Sequence, residues 1–131
     1  MKGERSVPAA NTLVARRFFR DVLAGRDERA ADELIAPHAR VSLPTGHVAG
    51  PEGVKRATAR LGSAFPDLRI EVTALVAEGD RVTAEWTFCG TQQRELLGVP
   101  PSGRRECVSA FSLFRIENAR IVEHVMTEDA P

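Results

Sequence analysis

The chain has no tyrosine, one tryptophan, two cysteines and two methionines in 131 residues. It also has no excess charge: Lys and Arg number 18, as do Asp and Glu. A balanced surface offers little to a phosphate backbone and the missing tyrosines remove stacking platforms, so nucleic-acid binding is not expected. No run approaches the roughly 18 apolar residues of a membrane helix, so no membrane partner is expected either. The first ten residues carry Lys2, Glu4 and Arg5 without an apolar stretch, which does not read as a secretory signal. Cys89 and Cys107 have no metal-ligand spacing. Strand parity points both outward, about one pair out of register, so they read as free thiols in a reduced, cytoplasmic compartment. Neither a metal nor a cofactor is expected.

What remains is ordinary globular material, 43% hydrophobic and 27% charged, enough for one domain. Residues 1–10 read as a flexible tail and 11–131 as a single domain. Val14, Phe18 and Val22 fall at helical spacing beside Phe19 and Leu23, with Asn11 or Thr12 to cap the start and Gly25 at the end. Asp27 opens a second short helix stopped by Pro37, and Gly50-Pro51-Glu52 opens a third with Val54, Ala57 and Leu61 on one stripe. A short extended piece, residues 40–43, separates the last two helices. Four alternating segments follow: 68–77, 81–91, 106–117 and 120–127, with turns at Glu78-Gly79-Asp80 and Asn118-Ala119. Helices first and a strand meander after give an α+β fold, with a curved antiparallel sheet packed on three N-terminal helices.

Because strand side chains alternate, the long strands divide into two faces. One face takes Val82, Ala84, Trp86, Phe88, Val108, Ala110, Ser112, Phe114, Val122, His124 and Met126. The other takes Glu85, Thr87, Cys89, Ser109, Phe111, Leu113, Arg115, Ile121, Glu123 and Val125. Both faces are half apolar. One therefore meets the helices and the other a second copy of the chain, which makes a homodimer the expected partner. The helix-side face is apolar except for Trp86, Ser112 and His124. Two readings fit it: a small-molecule pocket, or a filled core whose three polar groups bond to one another or to backbone.

Several motifs occur in order: Gly50-Pro51-Glu52-Gly53-Val54-Lys55, Ala64-Phe65-Pro66-Asp67-Leu68, Ala77-Glu78-Gly79-Asp80-Arg81-Val82, Leu97-Gly98-Val99-Pro100-Pro101-Ser102-Gly103-Arg104-Arg105, Phe114-Arg115 and Arg120-Ile121-Val122-Glu123-His124. Together they resemble the SnoaL-like polyketide cyclases, within the nuclear-transport-factor-2-like superfamily, from about residue 13 to 129. The resemblance implies a cone-shaped α+β barrel around a deep apolar cavity, dimeric through the outer sheet face, and it favours the pocket. It also implies where proton-transfer groups belong. Met126 stands where ring-closing members carry an aspartate, Ser112 where they carry its histidine partner, and Ala57 near an asparagine. Val41-Ser42 replaces an Asp-His pair, and Asp129 matches a second aspartate. The chain thus keeps the fold signature without the usual acid/base set.

His124 is the remaining candidate, since an imidazole in an apolar cavity titrates near neutral and serves as acid or base. Trp86, Phe88, Ser112, Phe114 and Met126 are expected to shape a substrate site around it, with Glu106 as a possible partner at the rim. The expected activity is cofactor-independent cyclisation, dehydration or isomerisation of a hydrophobic, polyketide-like small molecule in natural-product biosynthesis. The alternative is a non-catalytic binder or carrier of such a molecule.

Overall fold

The structure, a computed structural model, describes residues 7–44, 46–96 and 98–128. Residues 1–6 of the tail expected at 1–10, with Thr45, Leu97 and residues 129–131, lie outside the described residues, and residues 7–10 are helix rather than tail. Helix α1, Val7–Arg17, starts four residues before the expected Asn11 and runs into a π-wound segment, Phe18–Ala24. Asn11 is therefore no cap: its side-chain amide donates to the Gly79 carbonyl at 3.3 Å, pinning α1 to a hairpin turn. The wider winding brings Phe18, Phe19, Val22 and Leu23 all to the buried side. It ends at Gly25, whose N–H donates to the Arg20 carbonyl at 3.0 Å, and a β-carbon there would lie 2.8 Å from the Asp21 carbonyl oxygen.

Asp27 caps helix α2, Glu28–Leu34, by accepting from the N–H groups of Arg29 at 3.0 Å and Ala30 at 3.2 Å. Strand β1, Ile35–Leu43, follows at once, so the helix stops before Pro37 and the extended piece is longer than residues 40–43. Pro37 sits instead in the register shift between Ile35 and Arg40, where a residue without an N–H breaks the ladder. Strand β2 is Gly46–Ala49 and helix α3 is Gly50–Ala64. Gly50 is required at their junction, with φ of 66° and its backbone against the Pro37 carbonyl.

Strands β3 (Arg69–Glu78), β4 (Arg81–Thr91), β5 (Arg105–Glu117) and β6 (Arg120–Glu128) form the expected meander. Among the described residues the sheet has six strands in the order β2-β1-β6-β5-β4-β3. All pairings are antiparallel except β1 with β6, which the meander reading did not include. Asn118 and Ala119 both have positive φ, the form whose twist suits a two-residue hairpin.

One face assignment and one pairing need correction. Ile121, expected outside, is 0% exposed and pairs with buried Ile116 and Ile35. A bulge leaves Val122 as an extra residue between the Ile116–Ile121 and Arg115–Glu123 pairs, which reverses parity at the start of β6. The cysteines, expected to be free and out of register, are paired directly across β4 and β5 and joined as a disulfide. Closing an 18-residue separation removes unfolded-state freedom worth about 3 kcal/mol. Thiol titration of the unfolded, unreduced protein is expected to find no free thiol. Cys107→Ser is expected to lower the unfolding free energy by about 2–4 kcal/mol, and reductant to do the same to the parent protein. Two titratable thiols and an unchanged denaturation midpoint would contradict the link.

Candidate functional site

The inner sheet face is set by ladder register. Trp86 lies opposite Ala110, Ala84 opposite Ser112, Phe114 opposite His124, and Ser112 opposite Met126. The parallel pairing of β1 adds Val41 beside His124. Three positions where the resemblance places proton-transfer groups, Ser112 on β5, Met126 on β6 and Val41 on β1, thus lie around His124, while Ser42 pairs with Val125.

At the centre is a short polar chain in an aromatic box. Trp86 Nε1–H donates to Ser112 Oγ at 3.0 Å, and Ser112 Oγ lies 2.9 Å from His124 Nε2. The imidazole stacks on Phe114, centroids 4.3 Å apart and planes 18° from parallel, and meets the Phe18 ring edge-on at 5.2 Å. Phe19 closes the box against Trp86 at 5.1 Å and Phe114 at 5.6 Å. Trp86 is 2% exposed, Ser112 3% and His124 4%. The sequence reading had Phe18 and Phe19 only as helix core. Two adjacent aromatics at the end of a helix were the available signal.

The expected pocket therefore needs correction along its length. Around His124 the face is filled by Phe18 and Phe19. The apolar side chains are less completely covered toward the end of the sheet where β1, β4 and β6 finish and β5 begins. There Leu43, Val108 and Met126 are half-buried against the core, next to buried Phe88, whose ring meets Phe65 edge-on at 6.3 Å. The chain between β4 and β5 borders this end. Buried Gln92 holds it by donating to the carbonyls of Arg94 at 3.0 Å and Val99 at 2.9 Å. Glu106 does not approach His124; it accepts from Ser102 Oγ at 2.6 Å on the surface. Arg94 donates to Ser63 Oγ at 3.2 Å.

Burial also changes the chemistry of His124. Desolvation of the charged ring pushes its pKa down to about 3, so the expected titration near neutral does not occur. Among the described residues no three His, Cys, Asp or Glu side chains gather to hold a metal, and no helix is long and apolar enough to cross a membrane. Between about pH 6.5 and 3 the unfolded chain binds a proton that the folded chain refuses. This contribution to stability is whole above pH 6.5 and is lost as pH falls through that window. Urea denaturation from pH 6.5 to 5.5 is expected to show a loss approaching about 1.4 kcal/mol per pH unit. His124→Phe is expected to flatten that slope, and a parent protein already flat over this range would contradict the burial argument.

A family model for SnoaL-like polyketide cyclases matches residues 13–130. Three solved structures illustrate the likeness. TsrD of Streptomyces laurentii is 32% identical, with 96% of this chain and 92% of that chain covered and a TM-score of 0.82. IdmH of Streptomyces antibioticus, assigned as a polyketide cyclase, is 30% identical over 91% of each chain with a TM-score of 0.77. A protein of Jannaschia sp. CCS1, assigned as a SnoaL-like polyketide cyclase, is 26% identical, with 98% and 92% covered and a TM-score of 0.86. No curated protein matches. The order of elements, the converging positions around His124 and a match over nearly the whole length agree: the chain belongs to the SnoaL-like polyketide cyclase family.

Proposed function

We propose that the chain is a cofactor-independent enzyme of polyketide-type natural-product biosynthesis that cyclises, dehydrates or isomerises a hydrophobic carbonyl compound. One observation carries this reading: a hydrogen-bonded polar trio is held in an apolar interior, one residue pair behind a half-buried apolar rim. Apolar walls with a few fixed polar groups suit a small ligand whose one end reacts. Met126, directly opposite Ser112, is the rim side chain that stands next to the trio. Its unbranched thioether can swing aside at small cost, which gives substrate a route to His124. Phe88 and Met126 then form the outer wall, with Trp86, Ser112 and Phe114 behind the imidazole.

A second reading has its own support. With His124 uncharged through the neutral range and Met126 in place of an acid, the same site suits a binder or carrier that returns its ligand unchanged. Product analysis separates the two. Incubation with linear poly-β-ketone and polycyclic ketone substrates is expected to yield a ring-closed, dehydrated or isomerised product. His124→Ala is expected to lower turnover about 100-fold or more. Undiminished turnover removes His124 from the mechanism, and tight binding with unchanged compound favours the carrier.

The outer face is the proposed homodimer surface. Val76 is 63% exposed, Phe111 44% and Leu113 38%, and they border a trough of about 310 Å³ together with Ala74 and Val125. An apolar patch on a sheet face fits a second copy better than water. Light scattering is expected to give twice the chain mass, falling to the single-chain mass for the Phe111→Asp, Leu113→Asp double variant. A monomeric parent protein would contradict the assignment.

A further inference from the structure

We propose that Trp86, acting through Ser112, locks His124 in the Nδ1–H tautomer, so that the imidazole serves as a fixed neutral donor to a substrate oxygen rather than as an acid or base. This rests on the preceding reading only for the identity of the acceptor, a carbonyl or enolate oxygen. The lock itself follows from donor and acceptor chemistry.

An indole N–H donates and never accepts, so Ser112 Oγ is the acceptor in its 3.0 Å contact with Trp86. The hydroxyl keeps one hydrogen to place. Among the described residues the acceptor in reach of Ser112 Oγ is His124 Nε2, 2.9 Å away. Ser112 therefore donates and Nε2 accepts, which puts the ring hydrogen on Nδ1. The opposite tautomer would point an N–H at Ser112 and strand the hydroxyl hydrogen in a site 3% exposed, a penalty that disfavours it by about tenfold or more. Free histidine prefers the other form, so the lock reverses an intrinsic preference. The ring cannot escape by rotating, because Phe114 stacks on its face and Phe18 abuts it edge-on.

Nδ1–H is then a donor without a partner on a side chain more than nine-tenths buried. No fully buried side-chain nitrogen or oxygen among the described residues lacks a partner. The hydrogen bond of the ring to a described residue is the one at Nε2, so Nδ1 is not fully enclosed and shares in the residue's 4% exposure. A donor kept neutral, oriented and only just reachable is suited to receiving negative charge that develops on an oxygen during enolisation. Cyclisation, dehydration and isomerisation of a carbonyl compound all pass through such charge. Trp86 is a positioning residue in this scheme, and His124 is the group that touches substrate.

Two-bond 1H–15N correlation spectra of 15N-histidine-labelled protein at pH 7 read the tautomer directly, with His124 assigned by its loss in His124→Phe. The parent protein is expected to show at least about a tenfold excess of Nδ1–H. Trp86→Phe and Ser112→Ala, two independent ways of releasing the lock, are each expected to move the population toward Nε2–H. A protonated ring or an Nε2–H ring in the parent protein overturns the proposal whatever the protein binds. The donor role is read by titrating 1-tetralone against tetralin, two bicyclic bodies differing in a carbonyl oxygen. Tetralone is expected to bind about five- to tenfold more tightly and to shift the His124 Nδ1–H resonance downfield, with the preference lost in His124→Phe. Equal affinity for the two overturns the donor role. Binding of neither compound counts against the hydrophobic-ligand reading above, while the spectra without ligand still decide the lock.

Discussion

The contact of Ser112 with both Trp86 and His124 is the constraint on which the rest depends. An indole N–H, a hydroxyl and an imidazole lie deep in an aromatic interior, where any unpaired polar group is costly. The indole N–H, the hydroxyl and the imidazole Nε2 are each paired because they stand at hydrogen-bond distance, and they do so because β4, β5 and β6 are in one register. A slip of one residue between any two of these strands would carry one member of the trio to the opposite face. Side-chain chemistry and sheet register are thus coupled. The polar chain rewards the native alignment, and the alignment makes that chemistry available.

Other features serve the same alignment. The bulge at Val122 turns Ile121 into the core between Ile116 and Ile35. The disulfide clamps β4 to β5 on the outer side, five residues along β5 from Ser112. The π-wound end of α1 supplies Phe18 and Phe19, which cover the trio from the helix side and exclude water from it. Exclusion of water makes His124 resist protonation, and it is also why a donor there would act strongly on a developing charge.

Much of this was legible in the sequence where local rules apply. Asp27 as a helix cap, the Gly50-Pro51 start of α3, the tight turns and the inward set from Trp86 to His124 follow from capping chemistry and strand alternation over short spans. Non-local information was harder to read. No tight turn fixes the register across the thirteen residues joining β4 to β5, and there the cysteine pairing was placed one step out. A bulge gives no sign in residue alternation until its partner strand is known, so Ile121 was assigned to the wrong face. The parallel β1–β6 pairing joins distant segments, and the low pKa of His124 depends on aromatic cover from a helix a hundred residues earlier. That Ser112 and His124 would bond was one of the alternatives visible from parity. That Phe18 and Phe19 would fill the space around them was not.

A crystal structure with a bicyclic ketone soaked into the protein tests the central claim most directly. The account predicts the ketone at the rim formed by Leu43, Phe88 and Val108, with Met126 displaced and the carbonyl oxygen within hydrogen-bond distance of His124 Nδ1. A ketone seated in the outer-face trough while the aromatic box stays shut would contradict it.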